Sequence, residues 1–230
     1  MPQDITELAA RLAKATADRA AIPPLSDGLP GLDAATGYAI QAVARETAGP
    51  LAGWKLGATS RAKQAQVGVH EPVRGFLAGA SALDLGEPLV TGQLIQPRAE
   101  PEIVFVMGRD LAGPAVTAAD VLAATAGVAA GIEILDSRFI DYRFTMPDVI
   151  ADNTSAGRYV VGAPVPPDGI DLRLAGVVLE HNGEVTATAA AGCPSAAAPA
   201  AVAVTSPLCS RTTPASRRSM PSGRTGAPTT

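Results

Sequence analysis

From Gly53 onward the chain is written in short β-type runs separated by glycine and proline, a pattern that favours a twisted, loop-rich sheet over a helical bundle. Ile103 to Met107 reads as a strand, Thr117 to about Ala126 as a helix capped by Thr117, and Val128 to Leu135 as another strand. Gly176 to His181 and Glu184 to Thr188 flank Asn182-Gly183, a dipeptide suited to a type I′ hairpin because both central residues need positive φ. Before Gly53 the period is helical. Ile5, Leu8, Ala9 and Leu12 recur on one face behind Asp4, with Glu7 completing a capping-box pattern. Ile22-Pro23-Pro24 through Pro30-Gly31 ends that helix, and Asp33 caps a second one running through Tyr38, Ile40 and Val43. The two helices are read as a cap region over residues 1–50, and a chain of 230 residues is long enough to bury one full core.

A formal net charge of -4, with no cluster of Lys and Arg interleaved with aromatics, excludes a broad nucleic-acid-binding surface. The Met1-Pro2-Gln3-Asp4 start lacks the charged and apolar segments of a signal peptide, and no apolar run reaches the roughly 20 residues that cross a bilayer, so a cytoplasmic enzyme is expected. Cys193 and Cys209 lie in neither a CxxC pair nor a histidine-rich stretch and are read as inert thiols.

Three carboxylates stand out. On a strand, Glu100 and Glu102 point to one side about 7 Å apart, and two such charges repel unless a cation joins them. Glu133 lies among Ile132, Ile134 and Leu135, where an unpaired carboxylate is costly to bury. A shared ion satisfies all three, and an oxygen-only ligand set suits Mg²⁺ or Mn²⁺ rather than zinc. The alternative is a solvated edge for Glu100 and Glu102, with Glu133 paired to Arg138 or Arg98. Lys55, in the apolar and glycine-bracketed Gly53-Trp54-Lys55-Leu56-Gly57, is either a desolvated proton-transfer group or a snorkelling surface lysine.

Gly53-Trp54-Lys55-Leu56-Gly57, then Pro97-Arg98-Ala99-Glu100-Pro101-Glu102, then Ile132-Glu133-Ile134-Leu135-Asp136-Ser137-Arg138, then Ala151-Asp152-Asn153-Thr154-Ser155 follow one another in an order and spacing that resemble the fumarylacetoacetate hydrolase superfamily, in its branch of 2-hydroxypentadienoate hydratases and 4-oxalocrotonate decarboxylases. The resemblance runs from about residue 5 to about 190. It implies an α+β fold, a fumarylacetoacetate hydrolase-like mixed β-sandwich or roll with an N-terminal helical cap. It implies Mg²⁺ or Mn²⁺ held by Glu100, Glu102 and Glu133, a small 2-oxo acid chelated through its carboxylate and keto oxygen, and catalytic roles for Lys55 and Asp152 with Ser155 near the substrate. A Schiff base on Lys55 is the mechanistic alternative.

Val69-His70-Glu71-Pro72-Val73-Arg74-Gly75-Phe76-Leu77 resembles the decarboxylases more than the hydratases, which carry an acid where this chain has Val73. Thr59-Ser60-Arg61-Ala62-Lys63-Gln64-Ala65-Gln66-Val67-Gly68-Val69 points the same way. The expected reaction is therefore decarboxylation of 2-oxo-3-hexenedioate in aromatic meta-cleavage catabolism. Val73 is read as an apolar wall for the departing carboxylate, and Arg74 as a contact for the diacid's second carboxylate or a solvent-facing loop arginine. Hydration of 2-hydroxypenta-2,4-dienoate is the nearest rival, and an inactive partner subunit the third reading. The expected assembly is a homo-oligomer or a complex with a paralogous hydratase.

After Thr188-Ala189-Ala190 the family's Gly-His-Pro motif, long helix and closing strand do not follow. The last forty or so positions are mainly Ala, Pro, Ser, Thr, Gly and Arg, as a GC-rich gene yields out of frame, so a reading-frame change near residue 190 is expected. Residues 51–190 are accordingly read as a truncated catalytic core and 191–230 as an aberrant, disordered tail.

Overall fold

The computed structural model describes residues 4–61, 64–65, 68–172, 174–190 and 201–205. Helices α1 (Ile5–Asp18), α2 (Leu25–Gly28) and α3 (Ala34–Thr47) precede strands β1 (Leu51–Gly57), β2 (Val73–Ala78) and β3 (Arg98–Met107). Helix α4 (Ala118–Ala124), strand β4 (Thr125–Leu135), helix α5 (Met146–Ala151) and strands β5 (Ala156–Val161), β6 (Gly176–His181), β7 (Glu184–Ala190) and β8 (Ala201–Thr205) follow.

Each helix starts where the sequence supplies an acceptor for its unpaired first-turn amides. Asp4 accepts from the amides of Thr6 and Glu7, Asp33 from that of Thr36, and Thr117 and Asp120 cap α4 reciprocally. Leu8, Ala9 and Leu12 of α1 pack with Leu25 and Ile40 onto Phe139 and Ala151, so the helical cap is anchored on the segment that carries Asp152. Buried Asp148 ties α2 to α5, accepting from the amide and hydroxyl of Ser26 and from those of Thr145.

Six strands form one sheet in the order β2-β1-β8-β3-β4-β5, antiparallel except for the β8–β3 pair. The sheet curls until its edges meet. The Tyr159 carbonyl on β5 accepts from the Leu83 amide just after β2, and Ala82 bridges Tyr159. The separate β6–β7 hairpin turns at Asn182 and Gly183 with φ of 55° and 81°, as a type I′ turn requires.

The expected disorder past Ala190 is corrected for one stretch. Ala201–Thr205 alternates alanine with β-branched residues and lies between β1 and β3, whose facing amides and carbonyls would otherwise have no partners. Residues 191–200 and 206–230 lie outside the described residues. Because Val202 stands between Lys55 and Val104 at the centre of the sheet, Val202→Pro removes a ladder donor there. We expect that variant to melt several degrees below the parent, and an unchanged melting curve would show that β8 does not carry the sheet.

Candidate metal centre

Register brings the acids together. Glu100 of β3 stands directly opposite Glu133 of β4, which stands opposite Tyr159 of β5. Glu102, two residues along, shares their face and sits opposite Gly131, where a Cβ would fall 2.6 Å from Val104 Cγ2 and 3.0 Å from the Val160 carbonyl. One carboxylate oxygen from each of Glu100, Glu102 and Glu133 lies within 4.8 Å of the others, with Glu102 and Glu133 buried and Glu100 half-buried.

Lys55 joins them from β1. A flat sheet would hold β1 and β4 roughly 14 Å apart, three strand spacings, yet the curled sheet and two long side chains bring Lys55 Nζ to 2.5 Å from Glu133 Oε1. Lys55 is only 3% exposed and also donates to the Thr154 carbonyl at 2.8 Å. This removes the snorkelling alternative for Lys55 and the pairing of Glu133 with an arginine. Glu133 Oε2 is buried and accepts no hydrogen bond among the described residues. Burial pushes the Glu133 carboxyl above its ordinary range, against the Lys55 ammonium and with the Glu100 charge. Tyr159, buried on the same face, is pushed up to about 12 by burial.

Asp152 and Ser155 face elsewhere. Asp152 is ion-paired with Arg138 through Nε, and its other oxygen accepts from the hydroxyls of Ser137 at 3.3 Å and Ser155 at 3.2 Å. Arg138 also donates to the Asp152, Asp136 and Ala156 carbonyls. Both the Asp152 and Ser155 side chains are thus hydrogen-bonded within the fold, where they support the local backbone. Burial raises the Asp152 carboxyl despite the guanidinium beside it. The pair lines a separate cavity of ≈ 640 Å³ between α1, α3 and the seam of β2 and β5, which none of Lys55, Glu100, Glu102 and Glu133 touches.

What Asp152 supports is the turn after it. Asn153, Thr154 and Ser155 have φ of 50°, 50° and 58°, three consecutive left-handed residues without a glycine. The Asn153 side chain holds the turn to β2, donating to the Phe76 carbonyl at 3.0 Å and accepting from its amide at 2.8 Å. Gly75 makes that approach possible, since a Cβ there would meet Thr154 Oγ1 and lie 2.8 Å from the Asn153 carbonyl.

Strand alternation separates Val73 from Arg74. Val73, paired with Gly57, is buried on the Lys55 face, whereas Arg74 lies on the opposite face, exposed and stacked 4.7 Å over the Tyr38 ring. The substrate contact expected of Arg74 is therefore corrected, because its pairing with Leu56 turns it away from the acids. His70 is an exposed loop residue. Thr154, which the sequence reading passed over, is brought beside Lys55; its signal was its place inside the Asp152-Asn153-Thr154-Ser155 string.

No protein-family model matches the chain. It is 42% identical over 186 residues to a 2-keto-4-pentenoate hydratase of Burkholderia vietnamiensis, covering 79% of this chain and 71% of that protein. It is 38% identical over 186 residues to a 4-oxalocrotonate decarboxylase of Pseudomonas sp. strain CF600, covering 79% and 70%. Among solved structures it resembles the 4-oxalocrotonate decarboxylase from Pseudomonas putida G7 complexed with magnesium and adipate, at a TM-score of 0.78 and 33% identity, over 85% of this chain and 75% of that one.

Proposed function

The chain belongs to the family of 2-keto-4-pentenoate hydratases and 4-oxalocrotonate decarboxylases, and from that membership we propose that it decarboxylates 2-oxo-3-hexenedioate to 2-hydroxypenta-2,4-dienoate with Mg²⁺ or Mn²⁺ as cofactor. The observation that carries this reading is the convergence of Glu100, Glu102 and Glu133 with Lys55 on one face of the curled sheet. We read that sheet with its helical cap as a fumarylacetoacetate hydrolase-like roll.

The donor set fits the cation. Three carboxylates share a small volume, and Glu133 Oε2 has no donor among the described residues. A bound Mg²⁺ or Mn²⁺ supplies a Lewis acid for the 2-oxo oxygen and a template for the neighbouring carboxylate. The chain's own residues supply the rest. When the C5–C6 bond breaks, CO2 leaves and the electron pair moves through the conjugated chain to the 2-oxo oxygen, which needs one proton. Lys55, an ammonium held between Glu133 and the Thr154 carbonyl, is placed to deliver it. Val73 and Gly57 present an apolar surface on the Lys55 face, which disfavours the charged carboxylate relative to neutral CO2. Asp152, Ser155 and Arg138 hold one another at the two ends of the turn that carries the Thr154 carbonyl.

The second reading, hydration of 2-hydroxypenta-2,4-dienoate, is favoured by the 42% identity to a hydratase. Either activity would serve aromatic meta-cleavage catabolism in the cytoplasm, with the chain acting as a homo-oligomer or beside a paralogous hydratase. No helix among the described residues is long and apolar enough to cross a membrane. Incubating the purified chain and Mg²⁺ with each substrate separates the readings: we expect CO2 from the diacid and loss of turnover in EDTA. Hydration of the monoacid without CO2 transfers the chain to the hydratases, and full turnover in EDTA removes the metal from the mechanism.

A further inference from the structure

Among the described residues, the buried hydroxyls have partners, with one exception. Ser137 and Ser155 donate to Asp152, and Thr125 to the Val121 carbonyl. Among the described residues, Thr154 Oγ1 is the buried hydroxyl left with no hydrogen-bond partner, on a residue 5% exposed. A buried polar group with no partner weakens a fold, so its retention calls for a partner that arrives later.

Its position names that partner. The Thr154 carbonyl accepts from Lys55 Nζ at 2.8 Å, and Lys55 Nζ lies 2.5 Å from Glu133 Oε1. Thr154 Oγ1 covers Gly75, the cross-strand partner of Lys55 on the face that carries the acids. Thr154 also holds φ of 50°, a conformation a β-branched residue rarely adopts, kept in place by Asn153 against Phe76 and by the Ser155 carbonyl accepting from the Asp136 amide at 2.7 Å. The turn thus spends backbone strain and a buried hydroxyl beside one lysine. An anionic oxygen brought to the Lys55 side of this turn would meet an ammonium and a hydroxyl, both donors, where the neighbouring carboxylates offer none.

We propose that the Thr154 hydroxyl is a substrate-binding group of this site, donating a hydrogen bond to an oxygen of the bound 2-oxo acid on its Lys55 side. This rests on the proposed reading of the site as one that binds 2-oxo acids. Thr154→Val keeps the branched shape and removes the donor, and Thr154→Ser restores it.

The probe is 2-oxoadipate, the saturated analogue of the diacid, titrated calorimetrically into the Mn²⁺-loaded chain. The Val variant should bind it about tenfold more weakly, the Ser variant within about twofold of the parent, and all three should bind Mn²⁺ alike. In thermal unfolding without ligand, the Val variant should be as stable as the parent or more so. Equal 2-oxoadipate binding by parent and Val variant overturns the Thr154 assignment alone. A Val variant that melts well below the parent without ligand also overturns it, by showing that the hydroxyl serves the fold. A parent that takes Mn²⁺ but no 2-oxoadipate overturns the 2-oxo acid reading together with this inference.

Discussion

Glu133→Gln should weaken Mn²⁺ binding by at least about a hundredfold and remove metal-dependent turnover. The substitution preserves volume but replaces the proposed anionic ligand, 1% exposed and opposite Glu100, with a neutral amide. Altering a group that merely orients a ligand already costs 10- to 100-fold in metal affinity, so loss of a ligand charge should cost no less. Without metal the same variant removes a buried negative charge but leaves the Lys55 ammonium without its carboxylate, so its Mn²⁺ binding is read only on samples whose unfolding curve shows a folded chain.

The pH dependence follows in sign. Burial holds the folded Glu133 carboxyl above its ordinary value of 4.5. Its contribution to stability is present below that value and lost as pH rises through the folded one. The metal-free parent should therefore weaken across that window, the Gln variant should not, and Mn²⁺ affinity of the parent should rise with pH as the ligand deprotonates. Paramagnetic titration of Mn²⁺ and thermal unfolding at several pH values read both effects. A Gln variant that binds Mn²⁺ as the parent does would place the cation elsewhere.

Arg138→Met should be the most damaging single change to the fold. It leaves the fully buried Asp152 carboxylate without its guanidinium and strips donors from the Asp136, Asp152 and Ala156 carbonyls. Removing one partner of a buried pair costs about 3–5 kcal/mol, which for a domain of this size lowers the melting temperature by about 10 °C. Burial already raises the Asp152 carboxyl, and without Arg138 it should rise further, so the defect should shrink in acid as the group protonates. Arg138→Met combined with Asp152→Leu should recover much of the loss, since no uncompensated charge remains. A single variant within about 1 kcal/mol of the parent would show that the pair is not needed for the fold.

Features that depend on neighbours in the chain were legible in the sequence. Glu100 and Glu102 share a face because strand side chains alternate, Asn182-Gly183 turns because both residues tolerate positive φ, and Asp4, Asp33 and Thr117 cap helices because each offers an oxygen to the next turn. Arg74 shows the limit of this. Its chemistry suits a diacid, but only its pairing with Leu56 reveals that it faces away from Lys55. Asp152 was marked by its motif and Arg138 by the adjoining string, and neither string shows that the two satisfy each other.

The sequence by itself determined the three carboxylates, the lysine and the strand that places two of those acids side by side, because charge, side-chain length and strand period are local properties. The tertiary structure alone decided that Lys55 meets Glu133, 78 residues later and three strands away, that Ala201–Thr205 lies between β1 and β3, and that Thr154 rather than Ser155 brings a hydroxyl with no partner among the described residues. Those contacts depend on how far the sheet curls and on which buried groups find partners first. Both are set by packing of the whole core, which no local run of residues encodes.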